Sequence, residues 1–177
     1  MDKKEEKLPG DYLAGFIDGE GCFALKFRID RKRNKGNGKL RTYFYWGVEF
    51  AVVLRSDDSD ILSQIKNTLE CGSINLSKGG DQIRFSVQNA KDAVEKIIPF
   101  FIKYKLRAKK LEDFKLWAEA ATILNKYKDG LLNVRKGQRG FTKKELSHID
   151  SQRLNKIRHQ MLIYKSKRPR DFKWGTR

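Results

Sequence analysis

The chain has 177 residues, with 39 Lys and Arg against 22 Asp and Glu, a formal charge of +17 and a sequence pI near 9.9. That length suits one domain with a real core, and 39% hydrophobic with 11% aromatic residues is too apolar for a disordered chain. No apolar run approaches the roughly 20 residues of a membrane span, MDKKEEKLPG lacks the apolar stretch of a secretory signal, and two Cys with two His make neither a disulfide scaffold nor a dedicated zinc site.

The charge is uneven. Residues 1–100 carry 17 basic and 15 acidic side chains, whereas residues 101–177 carry 22 and 7. The front half has one basic run, RKRNKGNGKLR from Arg31 to Arg41, and the tail KSKRPRDFKWGTR is basic again. A surplus of this size points to a nucleic-acid partner. The low cysteine count suits a reducing interior, so the expected location is intracellular and DNA-associated, in a prokaryotic cytoplasm or an organelle.

In chain order, residues 9–21 read as a short helix. CFALKFRID at 22–30 alternates Phe23, Leu25, Phe27 and Ile29 with Ala24, Lys26, Arg28 and Asp30, the period of a half-buried strand. After the basic loop, Thr42 to Val53 alternates Tyr43, Tyr45, Gly47, Glu49 and Ala51 with Phe44, Trp46, Val48, Phe50 and Val52, completing a long hairpin. Ser56-Asp57-Asp58 is placed to cap a helix reaching about Glu70, with Ile61, Leu62, Ile65 and Leu69 at helical spacing.

SINLS and QIRFSV form two shorter strands around Lys78-Gly79-Gly80-Asp81. Asn89 opens a further helix, whose end Pro99 should disturb. A longer helix is expected from about Leu106 to Lys126, with Leu111, Phe114, Trp117, Ala121 and Leu124 on one face. Thr142 and Glu145 form a capping-box pattern ahead of a last helix carrying Leu146, Ile149, Leu154, Ile157 and Met161.

The economical packing is an α+β fold: a four-stranded antiparallel sheet with helices on one face. The other face then displays Lys26, Arg28, Tyr45, Glu49, Gln82 and Arg84. Strand ribbons of this kind can enter a DNA major groove and present side chains to base edges.

The first helix is peculiar. Gly15 and Gly19 lie four apart, where glycine costs about 1 kcal/mol each relative to alanine. Such spacing lets another helix backbone approach closely. Asp18 and Glu20 sit at the helix C-terminal end, where the macrodipole disfavours anions; on the residues alone this reads either as a carboxylate held for a nearby cation or as an ordinary amphipathic helix with a glycine stop.

LAGFIDGEG, Leu13 to Gly21, closely resembles the nine-residue motif of the LAGLIDADG homing endonucleases. Six positions are identical; Phe16, Gly19 and Glu20 are the departures, and Glu20 keeps the carboxylate. The order helix–hairpin–helix–hairpin–helix (αββαββα) and the segment IPFFIKYKLRAKKLEDF extend the resemblance over about 8–127. Residues from about 140 to 177 form a basic helical extension of the same single domain.

The resemblance implies a site-specific endonuclease that hydrolyses both strands of a long, near-palindromic duplex for intron homing. One motif copy implies a homodimer joined through Tyr12, Gly15, Phe16 and Gly19. Each Glu20, with a backbone carbonyl near Gly19, would bind Mg²⁺ at or between the two sites of the dimer. Lys105 best matches the family's catalytic basic residue, with Lys103 and Arg107 as other placements. Leu54 stands where the family often has a water-positioning Gln, beside Arg55. Asp18 is expected to brace the helix.

Expected DNA contacts are Lys26, Arg28, Arg31, Lys32, Arg33, Lys35, Arg41, Tyr45, Glu49, Arg55, Asn75, Ser77, Gln82 and Arg84. His148 and His159 read as surface or phosphate-contacting groups, Cys22 and Cys71 as small buried fillers, and Arg168, Arg170, Lys173 and Trp174 as a tail that either grips flanking backbone or is disordered. No membrane partner is expected. Two rivals share the fold: an RNA maturase that assists intron splicing, and a nuclease-dead DNA-binding regulator.

Overall fold

The structure, a computed structural model, describes residues 6–33, 36, 38, 40–127 and 146–166, apart from the side chains of 30, 32, 41–44 and 164–166. Helix α1 (Gly10–Glu20) leads into β1 (Gly21–Arg33), β2 (Leu40–Arg55), a 3₁₀ turn (Ser56–Asp58) and α2 (Ser59–Leu69). β3 (Ser73–Leu76), β4 (Gln82–Val87), α3 (Ala90–Asp92), a π turn (Ala93–Ile97), α4 (Ile98–Lys103), α5 (Lys110–Asn125) and α6 (His148–Ser166) follow. The sheet is antiparallel in the order β1-β2-β4-β3. The expected α+β architecture is the observed one.

The alternation sorts the side chains as the pattern predicts. Phe23, Val48, Phe50, Val52, Phe85 and Val87 point to one face and are buried under the helices. Trp117 of α5 sits 5.2 Å from the Phe23 ring, and Phe101 of α4 lies 5.8 Å from both Phe23 and Phe50. These rings meet in edge-on and tilted contacts, the arrangement favoured by the aromatic quadrupole. Phe114 and Trp117 are therefore core, as expected.

Several local expectations differ. The hairpin pairs out to Arg33 opposite Leu40, so both ends of the basic run are strand rather than loop. Ladder hydrogen bonds satisfy the backbone further along than turn residues suggest. Ser56, Asp57 and Asp58 form a 3₁₀ turn, and no side-chain cap opens α2. Arg55 instead draws Asp57 into an ion pair at 2.7 Å.

Asn89 does open its helix, accepting a hydrogen bond from Lys91 N at 3.0 Å. The chain then stays helical through Pro99 to Lys103. A proline ring clashes with the carbonyl four residues earlier, and the wider π turn at Ala93–Ile97 opens that space. α5 begins at Lys110, four residues later than expected, although Leu106 is buried in the connecting loop.

In α6, Leu154, Ile157 and Met161 are buried, but Ile149 is 78% exposed. It lies off the stripe that meets α5 and β1. Cys71 is buried, and desolvation pushes its thiol up to about 11. Cys22 is exposed on the outward face of β1, not a buried filler, because position 22 alternates against Phe23. Thr142 and Glu145 lie outside the described residues, as does the tail from 167.

Candidate nuclease site and nucleic-acid interface

Leu13, Ala14 and Ile17 hold α1 against the core. Tyr12, Gly15, Phe16 and Gly19 then share the other stripe, at i, i+3, i+4 and i+7. Tyr12 is 53% exposed and stacks on Phe16 with ring centroids 6.4 Å apart. A Cβ built on Gly15 or Gly19 meets nothing within 4 Å. Gly21 differs: a Cβ there would lie 2.5 Å from Ile17 Cγ2 and 2.8 Å from its carbonyl oxygen. Of the three glycines in the motif, the last is needed inside the chain, where α1 closes into β1, and the first two face nothing among the described residues.

Asp18 braces the helix to the α4–α5 loop. Its Oδ2 accepts from Arg107 N at 2.7 Å and Ala108 N at 3.2 Å, while Oδ1 is buried without a partner among the described residues. At the other end of α1, the Tyr104 ring covers Gly10, so closely that a Cβ would lie 2.2 Å from it. The loop carrying Lys105 is thus pinned to α1 at two points. Lys105 is exposed, and Lys103 lies 5.1 Å over the Tyr104 ring. Arg107 meets α1 through its backbone.

Glu20 ends α1 with its side chain exposed. Among the described residues, no hydrogen bond or ion pair engages its carboxylate. The Gly19 carbonyl, expected as a metal ligand, accepts from Lys110 Nζ at 2.7 Å, and Asp18 O accepts from the same ammonium at 3.0 Å. Lys110 was not anticipated: four basic residues crowd 105–110 and spacing does not choose among them. An ammonium across the last carbonyls answers the macrodipole of α1.

The outward sheet face begins two residues after Glu20, at Cys22. Arg28 lies 5.1 Å over the Tyr45 ring on the neighbouring strand. Glu49 is only 4% exposed, against the expectation of an outward base contact. Its Oε2 pairs with Lys26 Nζ and Arg84 Nη2, each at 2.7 Å, and Oε1 accepts from Gln88 at 2.8 Å. Burial alone would raise the Glu49 pKa, but hydrogen bonds and charge from Lys26 and Arg84 outweigh it and hold the carboxyl below its ordinary value.

The other expected contacts divide. Arg31, Arg33, Arg55, Asn75 and Gln82 are exposed. Ser77 is turned into the β3–β4 connection, donating to Asp81 Oδ1 at 3.0 Å and accepting from Gln82 N at 3.2 Å. Leu54 is half-buried against the core and offers no polar group to a water. Lys35 and the side chains of Lys32 and Arg41 lie outside the described residues. His148 and His159 are exposed, as expected.

An exposed carboxylate at the end of a glycine-bearing helix, with a basic sheet face directly after it, coincides with a family match. Residues 13–121 match the family described as LAGLIDADG endonuclease. The chain belongs to this family. A probable intron-encoded DNA endonuclease 1 from Mycosarcoma maydis is 29% identical over 103 residues, covering 58% of this chain and 34% of that protein. A probable intron-encoded endonuclease 2 from Neurospora crassa is 30% identical over 115 residues, covering 65% and 22%. The chain thus spans about a third or less of the length of these curated relatives.

The LAGLIDADG fold is also that of solved neighbours. The homing endonuclease I-GzeII, crystallised with its DNA target, superposes with a TM-score of 0.64 at 23% identity, over 91% of this chain and 46% of its own. The homing endonuclease I-TnaI superposes with a TM-score of 0.64 at 22% identity, over 88% of each chain.

Proposed function

We propose that this LAGLIDADG family member is a site-specific, divalent-metal-dependent DNA endonuclease. It acts as a homodimer, cuts both strands of a long, near-palindromic duplex and serves intron homing. The observation that carries the reading is the placement of Glu20, an exposed carboxylate between a glycine stripe open to a second helix and a basic sheet face.

The stripe supports a dimer. Gly15 and Gly19 lower the helix propensity of α1, and a Cβ at either meets nothing among the described residues, so a second copy of the helix packed there is the economical explanation. Two Glu20 side chains would then meet beneath one duplex.

Glu20 suits a hard cation, being anionic, oxygen-bearing and exposed. One chain supplies only part of a shell: among the described residues no group of three or more His, Cys, Asp or Glu could hold a metal. The second Glu20 and phosphate oxygens would complete it. A bound Mg²⁺ supplies neutralisation of the scissile phosphate and a water made acidic enough to attack it. Glu20 holds the ion, Lys105 offers an ammonium to the charge that builds on the phosphate, and Lys110 keeps the end of α1 in place. The sheet face positions the duplex through its phosphates and reads base edges.

The test is cleavage of a randomised long-site plasmid library with Mg²⁺ or EDTA, wild type beside Glu20→Gln. The expected result is a shared near-palindromic site among cleaved members, with cleavage lost in EDTA and at least 10³-fold slower in the variant, while the variant still binds duplex. Specific binding without any cleavage by the wild type would favour the nuclease-dead regulator. Absence of both would sink the endonuclease reading and turn attention to intron RNA.

A further inference from the structure

Glu49 is a buried acid on the face that should meet an anionic polymer, which makes it electrostatically costly in complex unless it organises something. Three strands converge on it. Lys26 comes from β1, two residues beyond the position opposite Glu49. Arg84 comes from β4, opposite Val53, four residues along β2.

To reach Glu49, the Arg84 side chain runs back over Ala51 and Ser86, an opposed pair that is 2% and 5% exposed. Gly47, opposite Lys26, leaves open space beside the lysine stem. Both cations bond the same oxygen, Oε2, so their charged heads lie within about 5 Å of each other, between one and two base steps of roughly 3.4 Å.

We propose, resting on the DNA-endonuclease reading above, that Glu49 is a positioning residue for sequence readout. It fixes Lys26 and Arg84 as one unit that reads guanine at two adjacent base pairs of each half-site. Long cations on a basic face otherwise find the nearest phosphate, which positions a protein without specifying sequence. A lysine or arginine aimed into the major groove donates to guanine O6 and N7. Glu49 takes one Nη of Arg84 and one direction of the Lys26 ammonium, leaving donors on both for a base edge. Their rotamer freedom is lost on folding rather than on binding, which is how preorganisation raises discrimination. Gln88 holds the other carboxylate oxygen and keeps the acid from swinging away.

The test measures binding to the selected target and to every single base-pair substitution of it, for wild type, Glu49→Gln, Glu49→Asp, Lys26→Met and Arg84→Met. In the wild type, replacing guanine at one adjacent pair of positions per half-site should cost at least 10-fold. Glu49→Gln should reduce that penalty below 3-fold and leave the penalties elsewhere in place, with partial recovery in Glu49→Asp. Lys26→Met and Arg84→Met, both at partly exposed side chains, should lose discrimination at the same adjacent positions. A uniform loss across all positions in Glu49→Gln, or an unchanged profile, would overturn the proposal, as would Lys26 and Arg84 mapping to separated positions. A wild type with no site preference would overturn the endonuclease reading and this inference together; a wild type with a preference that Glu49→Gln leaves intact overturns this inference alone.

Discussion

Lys110 shows how a single side chain can matter through geometry that its spacing hides. Its ammonium bonds the carbonyls of Asp18 and Gly19, directly before Glu20. Lys110→Met should cost about 1 kcal/mol in urea unfolding, from lost charge-assisted bonds and helix-end neutralisation. The more telling readout is cleavage, which should fall at least 10-fold, because a frayed α1 end displaces Glu20. Unchanged cleavage would show that Glu20 is held by other contacts. Glu20 itself was readable from the motif, since its place there carries the chemistry. Glu49 was readable only as an outward-facing residue. Alternation assigns a face, whereas burial on that face depends on two long cations folding over it from other strands.

The loop between α4 and α5 is set by what grips it at each end. Tyr104 covers Gly10, and Asp18 holds the backbone at Arg107 and Ala108. Gly10→Ala places a methyl group 2.2 Å from the ring, so the ring and the loop behind it must move. We expect a loss of about 1–3 kcal/mol in thermal or urea unfolding, the usual range for overpacking. Cleavage should drop with it, since Lys105 rides on the displaced loop; wild-type stability in the variant would refute the ring contact. The helices and strands were visible in sequence through their periods, and the errors lie at their ends. Ladder pairing carried β1 to Arg33, and a π turn carried the helix through Pro99. Both depend on neighbours that a local pattern does not include.

Two properties belong to the assembled protein. Gly15→Leu adds a large side chain into space that is open among the described residues, so the chain should keep its far-UV circular dichroism while self-association weakens at least 10-fold by analytical ultracentrifugation. Unaltered self-association would remove the stripe from the dimer interface. Duplex binding should fall by about 10³–10⁵ between 50 and 200 mM salt if six to ten phosphates are contacted, measured by fluorescence anisotropy. A flat dependence would exclude a phosphate-tracking interface. The fold class, the two sheet faces and the motif helix could be read from residue order alone, because period and motif are properties of neighbouring residues along one chain. That Lys110 caps α1, that Gly21 is the motif glycine pressed against the described residues, and that Glu49 gathers Lys26 and Arg84 were decided by tertiary structure. Each depends on groups from separate elements meeting within hydrogen-bond or van der Waals distance, and no one-dimensional spacing encodes that distance.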